Sequence, residues 1–267
     1  MTSACDLIVI GGGINGTAIA RAAAVAGRKV ILVEQGDLTQ GTSSASTKLM
    51  HGGLRYLERY EFGLVHESLN ERGLMLRNAP HLVHPLEFRI VHSADMRPWP
   101  VMRMGLCLYD LLAWRGKLPR SHSIALNDPA LREGSGRGFS YWDAWVDDAR
   151  LVVSNALDAA GCGADILTRA RFLHAERRDD IWVANIATPS GEQQISASMI
   201  VNAAGPWVEQ VLDTGIAPSA KRHIQLVKGS HILVPRCPSG WRAILAGQGC
   251  PPPCADDRRH YPALAIQ

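Results

Sequence analysis

Three glycines and one acid near the amino end are spaced to hold a phosphate-linked pair of nucleotides. Gly11, Gly13 and Gly16 fit the G-x-G-x-x-G pattern, with Gly12 and Asn15 inside it. The first glycine permits a tight turn, the second lets backbone approach a pyrophosphate, and the third lets a helix close on its strand. Glu34 follows Gly16 by roughly the 20 residues at which an acid bonds a ribose hydroxyl. Beyond it, the segment GDLTQGTSSASTK (36–48) carries Thr42, Ser43 and Ser44, whose hydroxyls and backbone donors suit a pyrophosphate or a flat ring. Gly52 and Gly53 then permit close backbone approach to a planar ligand.

Such a turn works only between a strand and a helix. Leu7–Ile10 and Val30–Val33 are short continuous apolar runs, as expected of parallel strands buried on both faces. A helix from about Ile14 to Ala26 joins them, its free N–H groups and positive dipole end directed at the phosphates. NAD and FAD share this fingerprint. A second marker, MIVNAAGPW (199–207), has an apolar strand at Met199–Val201 running into Ala203 and Gly205. One cofactor touched by two distant segments of one sheet suits FAD, the longer reading, and Met199–Val201 is expected in the sheet that holds Leu7–Ile10. The fold class is therefore α/β, a Rossmann-like FAD-binding domain with a partial, mostly β substrate domain.

Elsewhere the periodicity predicts helices over Phe62–Leu76 and Val101–Trp114, the latter amphipathic with Arg103 and Asp110 on its polar side. Asp147 reads as the N-cap of a helix over Asp148–Ala160. Phe172–Glu176, Ile181–Ala187 and Gln194–Val201, separated by turn residues, read as a strand meander leading back to the nucleotide site.

The net charge of +3 is too small to indicate nucleic acid, and no basic patch interleaved with aromatics occurs. The six cysteines are scattered, without paired zinc spacings, and read as free thiols. His81 and His84 lack carboxylate partners, so no metal site is expected. Asp143, Asp147 and Asp148 are read as capping or solvated residues. The short apolar amino-terminal run leads straight into the glycine turn and is not read as a signal peptide. No uncharged apolar stretch is long enough to span a bilayer.

IGGGINGTAIA, TSSASTKLMHGGLRYLERYEF, APHLVHPLEFRIVH, YWDAWVDDARLV, VNAAGPWV and KGSHILVPR occur in this order from about Asp6 to Arg236. Together they resemble the FAD-dependent, respiratory-chain-linked glycerol-3-phosphate dehydrogenases of the D-amino-acid-oxidase-like flavoprotein superfamily. The resemblance implies oxidation of sn-glycerol 3-phosphate to dihydroxyacetone phosphate, with hydride transfer to FAD and electrons passed to quinone. It places Gly11, Gly13, Gly16 and Glu34 at the ADP half of FAD. Thr42, Ser43, Ser44, Lys48, Leu49 and His51 fall in the segment lining the pyrophosphate and flavin. Arg55 and Tyr56 match positions near the substrate phosphate and reacting carbon, and His231 matches an active-site histidine. Those types fit the chemistry: a histidine titrates near operating pH as a base, and arginine bonds phosphate bidentately. A glycerol-phosphate oxidase passing electrons to oxygen and an inactive flavoprotein fragment remain alternatives.

A quinone partner implies peripheral contact with the cytoplasmic face of the inner membrane. Val101–Leu112, flanked by Trp99, Trp114, Arg97, Arg115, Lys117 and Arg120, is one surface for it, although the pattern more simply describes a helix packed on its own core. Past Arg236 the resemblance fades into a stretch rich in Pro, Gly, Asp and Arg. The expected domains are thus an FAD oxidoreductase domain over 1–236 and a divergent, unstructured tail over 237–267, as in a C-terminally truncated member. Oligomeric state is not legible.

Overall fold

A computed structural model describes residues 3–94, 96–113, 116–126, 136–216, 224, 226 and 244–245. The chain divides into two compact units, 1–46 with 148–228, and 47–147 with 229–267. The first discontinuous unit returns to its own sheet after a hundred-residue excursion.

In the first unit, β1 (Ser3–Ile10), α1 (Ile14–Val25) and β2 (Val30–Glu34) form the expected strand, helix, strand sequence. Unit two intervenes before α4 (Asp148–Gly161), β7 (Asp165–Thr168), β8 (Arg171–Arg178), β9 (Ile181–Thr188), β10 (Gly191–Asn202) and α5 (Val208–Gly215). One six-stranded sheet runs in the order β7-β2-β1-β10-β9-β8. Strands β7, β2, β1 and β10 are parallel, and Leu7, Ile8 and Val9 sit in register with Met199, Ile200 and Val201. The Met199–Val201 strand therefore joins the first sheet, as expected, and the meander supplies the antiparallel remainder.

Both faces of this sheet are covered, which explains why its central strands are apolar throughout rather than alternating. Leu7, Val9, Val30 and Leu32 face Ala20 and Ala24 of α1 and Ala159 of α4. Ile8, Ile10, Ile31 and Val33 face the other way, onto Ala184, Ile186, Ile195 and Ala197. The alanines let α1 lie close to the sheet.

The second unit runs β3 (Leu49–Met50), a 3-10 turn (Leu54–Arg59), α2 (Phe62–Asn78), β4 (Val83–Val91), α3 (Trp99–Leu112), β5 (His122–Ala125) and β6 (Arg137–Val146). Its last described element, β11 (Ile244–Leu245), pairs parallel with β4. The remaining residues of 237–267 lie outside the described residues. Strand β6 is central, paired antiparallel with β4, β5 and β3. Beneath it, Val65 and Leu69 of α2 and Leu106 and Tyr109 of α3 pack on Leu86, Phe88, Ile90, Phe139 and Tyr141.

Helix α3 packs on its own core. Trp99 packs inward: its ring lies 4.1 Å from that of Phe139, under the Arg137 guanidinium. Leu106 is buried, and Met102 and Leu112 pack against the same cluster. Val101, Met104 and Leu111 stay exposed. Trp114 and Arg115 lie outside the described residues.

Candidate functional site

In the first unit the glycine turn is built so tightly that three of its positions exclude a side chain. Gly11 has φ +110°, and a Cβ there would lie 2.6 Å from the Ala203 carbonyl oxygen. This explains why Ala203, from a segment far away in sequence, belongs with the turn: β10 brings it there, and its N–H donates to the Ile10 carbonyl at 2.9 Å. A Cβ on Gly12 would lie 2.8 Å from Leu38 and 2.9 Å from the Glu34 stem. A Cβ on Gly16 would overlap the Gly11 carbonyl oxygen, so helix and strand close only around a hydrogen. Gly13 differs. Its Cβ would meet only the Ser43 hydroxyl, at 3.1 Å, so the turn keeps an open side there.

That open side is the amino end of α1. Gly13 is the N-cap and supplies no capping side chain, and the first helical turn holds no acid. An anion arriving there meets the positive end of the helix without a competing carboxylate. Asn15 is exposed in this turn. Ser43 leans in from the loop, its Oγ accepting the Ile14 N–H at 2.9 Å. Thr42 and Ser44 flank it, exposed, in a turn closed by the Ala45 N–H donating to the Thr42 carbonyl. Hydroxyls and backbone donors thus converge where phosphate oxygens need them.

Glu34 ends β2 with its carboxylate held from two sides. The Gly12 N–H donates to Oε2 at 2.6 Å and the Gly36 N–H to Oε1 at 2.8 Å. Each oxygen keeps a lone pair for a further donor such as a ribose hydroxyl. On the far side, Gly205 has φ +56° and opens the 3-10 turn Gly205–Trp207, exposed to solvent. The Asn202 amide holds that turn by donating to the Val208 carbonyl at 2.9 Å. Gly11, Gly12, Gly13, Asn15, Gly16, Glu34, Ser43 and Ala203 are therefore brought together. The chemistry of the donor set fits a dinucleotide diphosphate.

The second unit holds the other predicted residues on one short stretch. Lys48 takes a left-handed φ of +56° before Leu49, which pairs with Trp145 of β6. His51 is exposed and its Nδ1 accepts the Gly53 N–H at 3.1 Å, which leaves Nε2 as the protonated nitrogen of the neutral ring. Gly53, at φ +73°, starts the 3-10 turn bearing Arg55 and Tyr56. A Cβ on Gly53 would lie 2.5 Å from the Tyr56 ring, so the glycine lets that ring fold back over the turn. Arg55 and Tyr56 are exposed. His231 lies outside the described residues.

What anchors this stretch is a buried polar network that the sequence reading missed. Asp143 is not a solvated or capping residue: it is fully buried on β6. Its carboxylate pairs with Arg72 and accepts the Tyr109 hydroxyl at 2.9 Å. The buried Gly52 N–H donates to the Tyr109 hydroxyl at 2.8 Å and to Asp143 at 3.3 Å. Burial pushes the Asp143 carboxyl up from its ordinary value, against the pull of the adjacent Arg72 guanidinium. Burial and the Asp143 charge push the Tyr109 hydroxyl far above the usual tyrosine range. The signal was present in YWDAWV, since period-two alternation places Asp143 with Phe139, Tyr141 and Trp145 on the core face. Asp148 is likewise buried, accepting from Ser46 at 2.6 Å and from the Ala149 N–H.

Among the described residues no group of His, Cys, Asp and Glu could hold a metal ion, and no helix is long and apolar enough to cross a membrane.

A sequence model of the family described as FAD dependent oxidoreductase (DAO) matches residues 6–263. D-erythritol 1-phosphate dehydrogenase of Brucella abortus (strain 2308) is 50% identical over 247 residues, 90% of this chain and 49% of that protein. Aerobic glycerol-3-phosphate dehydrogenase of Escherichia coli (strain K12) is 47% identical over 234 residues, 86% of this chain and 47% of that protein. Among solved structures, glycerol-3-phosphate dehydrogenase from Bacillus halodurans, complexed with FAD, aligns with a TM-score of 0.56 at 28% identity. That alignment covers 78% of this chain and 36% of the other. The chain spans about half the length of the curated relatives it matches.

Proposed function

This chain belongs to the FAD dependent oxidoreductase family, and on that premise we propose that it binds FAD and oxidises sn-glycerol 3-phosphate to dihydroxyacetone phosphate, with the electrons leaving to a quinone. The observation that carries the cofactor half is the glycine turn, where Gly11, Gly12 and Gly16 exclude side chains while Gly13 and the acid-free end of α1 stay open. Bound FAD supplies the hydride acceptor. Gly13, Ser43 and the first turn of α1 receive the pyrophosphate, with Thr42 and Ser44 beside them, and Glu34 accepts from a ribose hydroxyl. Ala203 and Gly205 border the cofactor from the β10 side. The family resemblance assigns Lys48, Leu49 and His51 to the flavin.

The substrate half is supported by the relatives and by residue types. Arg55 grips the substrate phosphate with its planar fork, Tyr56 lies beside the reacting carbon, and His231 takes the hydroxyl proton as hydride leaves the same carbon. The relative at 50% identity favours a second reading in which the alcohol is a longer polyol phosphate, D-erythritol 1-phosphate. Both substrates present a phosphate and a secondary alcohol, so the same residues serve either.

Quinone is lipid-soluble, so the same reading includes peripheral contact with the cytoplasmic face of the inner membrane. The exposed Val101, Met104 and Leu111 on α3 support that contact.

The test is anaerobic addition of each polyol phosphate to the flavin-loaded protein. Bleaching of the flavin band by glycerol 3-phosphate is the expected result, and bleaching by erythritol phosphate alone selects the second reading. Retained flavin that neither compound bleaches would overturn the activity and favour an inactive fragment. Reoxidation faster with oxygen than with a quinone would move the acceptor to oxygen.

A further inference from the structure

Within the second unit lies a cavity of about 340 Å³, large enough for a small metabolite, with none of His51, Arg55 and Tyr56 among its lining residues. Helix α3, Ala113, Gly116, the segment from Leu118 to Ser121, and Arg72 form its wall. Its charge is one-sided. Arg72, Arg103 and Arg120 line it, and Asp110 is the one carboxylate among the described lining residues.

Asp110 and Arg103 are already engaged. Asp110 accepts the Ser121 N–H at 2.9 Å and the Ser121 hydroxyl at 2.6 Å, while Arg103 donates to the Ser121 hydroxyl and carbonyl at 2.8 and 3.0 Å. This arrangement fixes the Arg103 fork against Ser121. Arg72 is different. It is 3% exposed, and Nη1 serves Asp143 and the Trp142 carbonyl, but Nε is buried without any hydrogen-bond partner. Its other terminal nitrogen, Nη2, lies 3.9 Å from where a Cβ on Gly116 would stand, and Arg72 and Gly116 both line the cavity. Nothing in the proposed oxidation uses these arginines.

We propose that this cavity is a second binding site, for a small oxyanion such as a phosphate or carboxylate, taken by the guanidinium groups of Arg72, Arg103 and Arg120 that line it. Tetrahedral or planar oxygens match guanidinium donors, which a chloride ion matches poorly. Arg72 also holds Asp143, which accepts from Gly52 next to His51, so the occupied cavity bears on the stretch that carries the predicted flavin and substrate residues.

Cys107 lines the cavity and is exposed, whereas Cys162, equally exposed, belongs to the first unit and serves as the internal control. Alkylation of each thiol in the full chain is followed by peptide mass spectrometry, with inorganic phosphate or sodium acetate added against sodium chloride at equal ionic strength. Phosphate, acetate or both should slow alkylation at Cys107, by about tenfold at ten times the dissociation constant, and leave Cys162 unchanged. Which of the two protects identifies the oxyanion. Arg120→Ala should weaken the protection while leaving the flavin spectrum intact, which separates this site from the cofactor site. Protection no greater than that by chloride, or equal at Cys162, or unaltered in Arg120→Ala, would overturn the proposal.

Discussion

The Ser43 hydroxyl accepts the Ile14 N–H at 2.9 Å across 29 residues of sequence, so the loop after β2 caps α1 in place of the residue that precedes the helix. Gly13 occupies that preceding position and has no side chain to offer. Cap and cofactor donors therefore share one place, and a single substitution reads out both. Ser43→Ala is expected to lower stability by about 1 kcal/mol, the usual cost of a lost cap. FAD affinity should fall with it. A thermal melt and a flavin titration superimposable on those of the wild type would remove Ser43 from the site.

Gly16 and Gly13 make a matched pair with opposite expectations. Gly16→Val drives a side chain into the Gly11 carbonyl and should cost about 1–3 kcal/mol or more, seen as a lowered melting temperature. The Cβ that Gly13→Val adds meets only the Ser43 hydroxyl, so its melt without cofactor should stay close to that of the wild type. Equal destabilisation by the two would contradict the open side of the turn.

Removing one partner of the buried Arg72–Asp143 pair strands the other. Asp143→Ala is expected to cost about 3–5 kcal/mol, measured by denaturant unfolding, and to loosen the Gly52 stretch that Asp143 holds. Faster amide exchange at Gly52–Tyr56 should accompany it. A change below about 1 kcal/mol would show that water replaces Asp143 as the partner of Arg72.

The alkaline titration of the tyrosines gives a pH prediction with a definite sign. Burial pushes both Tyr109 and Tyr141 far above the ordinary value of 10, with the Asp143 charge adding to it. A raised folded value means that the stability contribution is full below about pH 10 and is lost as pH climbs toward the folded value. In the folded protein the tyrosinate absorbance gained between about pH 9 and 11 should thus be the same for the wild type and for Tyr109→Phe with Tyr141→Phe. A smaller rise in the double variant would show that these hydroxyls ionise normally.

Where one residue type did one local job, the sequence was readable. The glycine spacing, the apolar strands and the period of α2 (Phe62–Asn78 against an expected Phe62–Leu76) needed only local rules. The pairing of Leu7 with Met199 was legible because both segments are apolar and end in small residues that must meet. Asp143 was misread because its partners, Arg72 and Tyr109, sit on two helices that only the tertiary fold brings under β6. Strands β4, β5 and β6 went unread for a related reason. Their charged and aromatic residues break the apolar runs, and pairing within the sheet, rather than composition, makes them strands. Ser43 was read as a hydroxyl for the phosphates, but its capping of α1 depends on where the loop returns.

The account rests on the turn at Gly11–Gly16 as the seat of FAD, and a titration of the cofactor-free chain with FAD, followed by flavin fluorescence and by absorbance after gel filtration, tests it most directly. The expected result is one FAD retained per chain in the wild type and none in Gly13→Val, with the variant still folded. No retained FAD in the wild type, or equal retention in Gly13→Val, would contradict the assignment.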